Sequence, residues 1–147
     1  MHNQQDDVEE VWRLFRDYVA PLASGAVEIK GIVRVRGQRT MVSVHSNNSS
    51  VDPVGSCVGE RGIRVHAIVQ QLSGEKVDIV RWSDSVEQFI RNLLAPARPE
   101  RFILDEATHR ATIFGSADQR ALIVGGRGAR LEMMSRLAGW RLEVVDT

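Results

Sequence analysis

Two four-residue stretches hold the residue types best suited to chemistry in this chain: Gly59-Glu60-Arg61-Gly62 and Gly125-Gly126-Arg127-Gly128. Each has glycine at both ends and an arginine inside. A second arginine follows two residues on, Arg64 in one case and Arg130 in the other. An apolar run with helical spacing comes next. The first N–H groups of a helix lack intrahelical partners, and the helix dipole makes that end partly positive. Glycine admits a sharp turn and lets another backbone approach where a Cβ would stand. Arginine adds a full charge in a forked geometry that matches phosphate oxygens. Together these are the parts of a phosphate clamp. One such stretch alone is more often just an ordinary turn.

The two stretches occupy equivalent places in an internal repeat. Leu72, Gly74, Lys76, Val77, Asp78, Ile79 and Val80 match Leu137, Gly139, Arg141, Leu142, Glu143, Val144 and Val145 at a constant offset of 65. Gly59 and Gly62 match Gly125 and Gly128 at an offset of 66, so one residue is lost from the helix between. Arg61, Arg64 and Val65 likewise find Arg127, Arg130 and Leu131. Two copies are too few for a solenoid. The repeat predicts two similar small domains, residues 1–82 and 83–147.

The elements that must position the glycine stretches follow from periodicity. In the first copy Val8, Val11, Trp12, Phe15 and Val19 predict a helix from about Val8 to Ala20, ending near Pro21. The strand "AVEIKGIVRVRG" places Val27, Ile29, Val33 and Val35 on one face and Glu28, Lys30, Arg34 and Arg36 on the other. A turn at Gly37 returns the chain as "TMVSVHS". A short helix over Val54–Val58 leads to the glycine stretch. The next helix, to Leu72, carries Val65, Ile68, Val69 and Leu72 as its packing stripe. "KVDIVRW" closes the unit. The second copy repeats the plan: a helix over Ser85–Leu94, strands "RFILD" and "ATIFG", helices over Ala117–Val124 and Ala129–Leu137, and the strand "WRLEVV". Layer rules turn this into an α+β fold of two units, each a three-stranded sheet with helices packed on one face.

Composition narrows the function classes. The chain has 147 residues, 43% of them hydrophobic, enough for a real core. Its single cysteine, Cys57, excludes an internal disulfide and fits a reducing compartment. The polar, acidic start is no signal peptide, and no apolar run is long enough to span a bilayer, so a cytoplasmic protein without a membrane partner is expected. Nineteen basic residues balance nineteen acidic ones, which argues against coating nucleic acid by bulk charge. Yet all basic residues except Lys30 and Lys76 are arginine, and Glu132 is the only acid between Arg120 and Arg141.

Other constellations are weaker. Cys57 with His45 and His66 matches no zinc spacing and reads better as a buried structural cysteine. Asp78 and Glu143 hold equivalent, solvent-facing strand positions. Trp12, Trp82 and Trp140 are able to stack on bases, but the place of Trp140 between helix stop and strand start favours packing. His109 reads as a turn residue. No catalytic triad or carboxylate pair stands out, and a non-enzyme without cofactor or metal is expected.

The module that combines a G-x-x-G loop with this element order is the KH domain, whose loop holds the backbone of about four nucleotides. The stretches "VEIKGIVRVRGQRTMVSVHSN", "VDPVGSCVGERGIRVHAIVQQLSGEKVDIVRWS" and "FIRNLLAPA" moreover resemble the tandem KH region of the NusA-type bacterial transcription factors. The resemblance runs from about Val8 to the end, closer in the first domain than in the second. It implies two tandem type II KH domains forming a surface for single-stranded RNA, with roles in transcription elongation, termination and antitermination. It places one clamp on Gly59, Glu60, Arg61 and Gly62 and the other on Gly125, Gly126, Arg127 and Gly128, with Arg64 and Arg130 one turn into the following helices. Where the family often has "IGKRGQNVRLA", this chain has "VGGRGARLEM", so Gly126 replaces a lysine. Family members carry polymerase-binding and OB-fold domains ahead of the KH pair, and neither is expected here. Two alternatives stay open: a docking module for RNA polymerase, other transcription-complex proteins or the ribosome, and a factor associated with ribosomal RNA.

Overall fold

A computed structural model describes residues 4–124 and 129–146. The chain divides into two units, Met1–Trp82 and Ser83–Thr147. The first unit opens with α1 (Gln4–Tyr18), which carries Asp6 and Asp7 in its first turn and Arg16 in its last, the arrangement its dipole favours. Val11 and Phe15 on its inner face are fully buried. Trp12, on the edge of that stripe, instead stays 41% exposed, with the Arg16 guanidinium 5.6 Å from its ring centre. Pro21 does not end this helix. The break falls at Val19, whose extended backbone leads into a single-turn α2 (Ala20–Ala23) with the proline in its first turn. A proline is tolerated there because the first N–H groups of a helix are unpaired anyway.

Strands β1 (Glu28–Val35) and β2 (Arg39–His45) form an antiparallel hairpin, and β3 (Lys76–Arg81) adds parallel to β2. Between β2 and β3 lie α3 (Pro53–Val58), a 3₁₀ turn over Glu60–Gly62, and α4 (Ile63–Gln71). The order β1-β2-β3 puts β2 in the centre. Val11, Phe15, Val19, Val27, Val42, Val44, Cys57, Ile68 and Leu72 form the core under the helices.

One departure from strict alternation reorganises this sheet. Ile29 pairs with Val44 but Gly31 pairs with Ser43, so Lys30 is an extra residue in β1. Such a bulge flips the side-chain parity beyond it. Ile32 and Arg34, not Val33 and Val35, then face the helices. Arg34, expected at the surface, is consequently buried. Its Nε lies 2.9 Å from Glu75 Oε2, and its guanidinium also donates to Glu75 Oε1 at 3.0 Å, Asp7 O at 2.8 Å and Glu10 Oε1 at 3.1 Å. The Glu75 carboxylate accepts further bonds from Thr40 Oγ1 and Gly37 N. Burial by itself raises the Glu75 pKa, but the bonds from Arg34, Thr40 and Gly37 outweigh it and hold the carboxyl below its usual range. Against the burial that lowers it, Glu75 and Glu10 in turn raise the Arg34 pKa.

The second unit repeats the plan with α5 (Val86–Leu94), β4 (Arg101–Asp105), β5 (Arg110–Gly115), α6 (Ala117–Val124), α7 (Ala129–Ala138) and β6 (Arg141–Asp146). Ser85 caps α5 by accepting from Gln88 N at 3.2 Å. Phe89, Ile90, Leu93 and Leu94 of α5 are buried, as are Ala111, Ile113, Ile123, Met133, Met134 and Leu142. Strand order is β4-β5-β6, with β4 antiparallel and β6 parallel to the central β5. Among the described residues, no helix is long and apolar enough to cross a membrane.

Removing one member of a buried ion pair strands the other, so Glu75→Ala will destabilise the chain by about 3–5 kcal/mol in urea unfolding. The unfolded Glu75 titrates near pH 4.3, and the folded one below it. The stabilisation is therefore complete above that pH and disappears as pH falls through the folded value. Melts between pH 3 and 7 will show this loss in the parent and a smaller one in Glu75→Gln.

Candidate nucleic-acid interface

The glycine stretch of the first unit links the C-terminus of α3 to the N-terminus of α4. α3 starts on Asp52, whose side chain accepts from Val54 N at 3.1 Å, with Pro53 in the first turn. It ends at Gly59, whose φ is 78° and ψ 170°. Arg61 (φ 57°) and Gly62 (φ 76°) follow in the left-handed region, and Gly62 N donates back to Gly59 O at 3.1 Å. Three positive φ values within four residues fold the chain into a tight corner. Gly59 is needed for a second reason. A Cβ on it would stand 2.8 Å from Arg64 Cγ and 3.0 Å from Arg64 N. Gly62 meets no such contact, so its requirement is conformational.

Arg64 takes a role the spacing alone does not reveal. Its Nη1 donates to Ser56 O at 2.7 Å, which satisfies a carbonyl at the end of α3. Arg130 does the same in the second unit, donating to Leu122 O at 3.1 Å near the end of α6. Both arginines thus clip the helix before the loop to the helix after it. Arg61 differs: its side chain is exposed. Glu60, Arg61, Ile63 and His66 together line an open concavity of about 520 Å³ beside the loop. α4 begins here without a side-chain cap, its first N–H, that of Ile63, donating to Glu60 O within the 3₁₀ turn, and the positive end of the helix dipole lies at this corner. Ile63, at the first position of α4, is 68% exposed. It falls off the stripe of Val65, Ile68, Val69 and Leu72, in which Ile68 and Leu72 are buried; the sequence reading missed it, and an apolar residue off the stripe is the signal that could have found it.

The counterpart residues Gly125, Gly126, Arg127 and Gly128 lie outside the described residues. Of the second set, Arg130 is placed, at the second position of α7. The histidine and cysteine candidates do not converge. Cys57 is fully buried in α3, and burial pushes its thiol up to about 11 against the pull of Arg64. His45 Nε2 meets Asn47 Oδ1 at 3.0 Å and its ring stands edge-on to Trp82. His66 is on the exposed side of α4. Among the described residues no group of three or more His, Cys, Asp or Glu side chains is arranged to hold a metal. Trp140 is buried and stacked on His109 at 4.8 Å. Asp78 and Glu143 pair with arginines, Arg39 at 2.9 Å, and Arg110 and Arg141 at 3.6 and 3.3 Å.

Comparison with known proteins bears on this geometry. The family described as "NusA-like first KH domain" matches residues 5–82. The transcription termination/antitermination protein NusA of Rickettsia conorii is 37% identical over 142 residues, 95% of this chain and 28% of that protein. The protein of the same name from Bacillus subtilis is 39% identical over 132 residues, 90% of this chain and 36% of that protein. The chain therefore spans about a third of the length of these curated relatives. The crystal structure of APE1850 is similar at a TM-score of 0.65 and 19% identity, covering 92% of this chain and 96% of that one. That likeness shows the fold.

The cysteine and the loop make opposite demands on a probe. In the folded chain Cys57 will resist iodoacetamide at neutral pH, and in denaturant it will react at the rate of a free thiol. Gly59→Ala combines strain at positive φ with a collision against Arg64. It will lower stability by about 1–3 kcal/mol, read as a shift of the thermal midpoint.

Proposed function

The chain belongs to the family of NusA-like first KH domains, and from that premise we propose that it binds single-stranded RNA in transcription elongation, termination or antitermination. Residues 1–82 act as a first KH domain and residues 83–147 as a second. The observation that carries this reading is the start of α4, which no side chain caps, bordered by exposed Arg61 and Ile63 at a corner where Gly59 and Gly62 take positive φ. Gly59, Glu60, Arg61 and Gly62 hold the sugar–phosphate backbone from the α4 dipole end, and Arg61 supplies the exposed cation. Arg64 keeps the two helix ends together and adds its charge at short range. Ile63 gives an unstacked base an apolar seat. Gly125, Gly126, Arg127, Gly128 and Arg130 form the second clamp, with one cation fewer in the loop than the family pattern has. The chain acts as a binding factor rather than a catalyst, in the cytoplasm where transcripts are made.

Docking on RNA polymerase or another transcription-complex protein is a second reading, and exposed Trp12 on α1 favours it. A pull-down treated with ribonuclease separates the two: partners that survive the loss of RNA support docking.

Replacing Glu60 and Arg61 together with aspartate will keep the fold, since aspartate tolerates the left-handed backbone at position 61, and will abolish most RNA binding. Undiminished binding of a labelled single-stranded RNA would overturn the clamp. Parent affinity will also fall steeply with added salt as phosphate contacts release counterions.

A further inference from the structure

The second sheet leaves its outer face open. In β4, β5 and β6 the buried positions Ala111, Ile113 and Leu142 face the helices, so Arg101, Ile103 and Asp105, with Arg110, Thr112 and Phe114, and with Arg141, Glu143 and Val145, share the opposite face. Register sets them in three rows: Arg101–Phe114–Val145, Ile103–Thr112–Glu143 and Asp105–Arg110–Arg141. Ile103 and Val145 are 51% and 41% exposed. On the first sheet, the central-strand positions that correspond to Thr112 and Phe114 are Met41 and Ser43, and both are buried. The two copies have therefore diverged on this face: the first has a buried serine where the second has a half-buried phenylalanine.

Phe114 lies in the middle of its row, and the Arg101 guanidinium sits 4.3 Å from its ring centre. A guanidinium plane lying over an aromatic ring on an open sheet is a surface on which nucleobases stack. Three arginines against Asp105 and Glu143 leave the face with a positive excess that suits the linking phosphates. Size separates this occupant from a protein. Three strands about 4.8 Å apart, with five residues at about 3.3 Å each, span on the order of 240 Å². A stable protein interface covers about 800 Å² on each partner. We propose that the Arg101–Phe114 stack on the outer face of the second sheet is a base-stacking subsite for single-stranded RNA, separate from the glycine loops. The inference rests on RNA binding as the activity but not on the Gly59–Gly62 clamp.

The test uses the full chain and an unstructured RNA carrying photoreactive thiouridine. Crosslinks will map to β4 and β5 in the parent, and the fewer crosslinks left in the variant with aspartate at positions 60 and 61 will map there too. Phe114→Leu, which keeps apolar bulk without a ring, and Arg101→Lys, which keeps charge without a plane, will each lower affinity roughly tenfold at unchanged thermal midpoint. Arg101 is exposed, so R101K decides the matter if F114L folds poorly. Parent-like affinity in R101K together with no crosslink on β4 or β5 overturns the proposal. So does sedimentation showing a dimer of the parent that F114L abolishes, which would assign the face to a second copy. Unchanged affinity in the aspartate variant, with crosslinks on β4 and β5 retained, would instead count against the clamp alone.

Discussion

A single contact shapes the candidate clamp: the guanidinium of Arg64 against the carbonyl of Ser56. The end of a helix leaves carbonyls unpaired, and the start of the next leaves N–H groups unpaired. Arg64 reaches back from α4 to serve α3, so the two ends are held within one side chain's length. The loop between them has then to turn inside that span, which requires Arg61 and Gly62 in the left-handed region and leaves no room for a Cβ at Gly59. Among the described residues of the loop, the exposed cation is Arg61. Arg130 and Leu122 O repeat the contact in the second unit, so the clip belongs to the duplicated plan rather than to one copy.

The sheet beneath this corner is held by a different device. Arg34 and Glu75 are both buried and bonded to each other, and their remaining capacity goes to Asp7 O, Glu10, Thr40 and Gly37. One polar cluster thus ties α1, β1, the hairpin turn, β2 and the segment after α4. Buried charges are tolerable only when every lone pair and proton is met, and no buried side-chain nitrogen or oxygen among the described residues lacks a partner.

Much of this was legible in the order of residues. Residue types, turn signals and periods place α3, α4, β2, β3 and the described helices and strands of the second unit. The errors fall where local pattern and packing disagree. Pro21 reads as a stop because proline cannot continue a helix, yet it is equally at home in the first turn of a new one. Arg34 reads as a surface residue because alternation from Val27 puts it outward, and the bulge at Lys30 reverses that count. The further part Arg64 plays, its bond to Ser56, is not an error of pattern but is invisible to it, because it depends on where α3 ends in space.

By itself the sequence determined the duplication, the α+β plan and the location of the glycine corner of the first unit, since these depend on spacing and on residue types that no neighbour needs to supply. Tertiary structure alone decided which charges are spent inside the protein and which are left for a partner. That division rests on distances between segments far apart in the chain: Arg34 to Glu75, Arg64 to Ser56, Arg101 to Phe114. A charge's role is set by what stands within about 4 Å of it, and periodicity along one strand or helix carries no record of that.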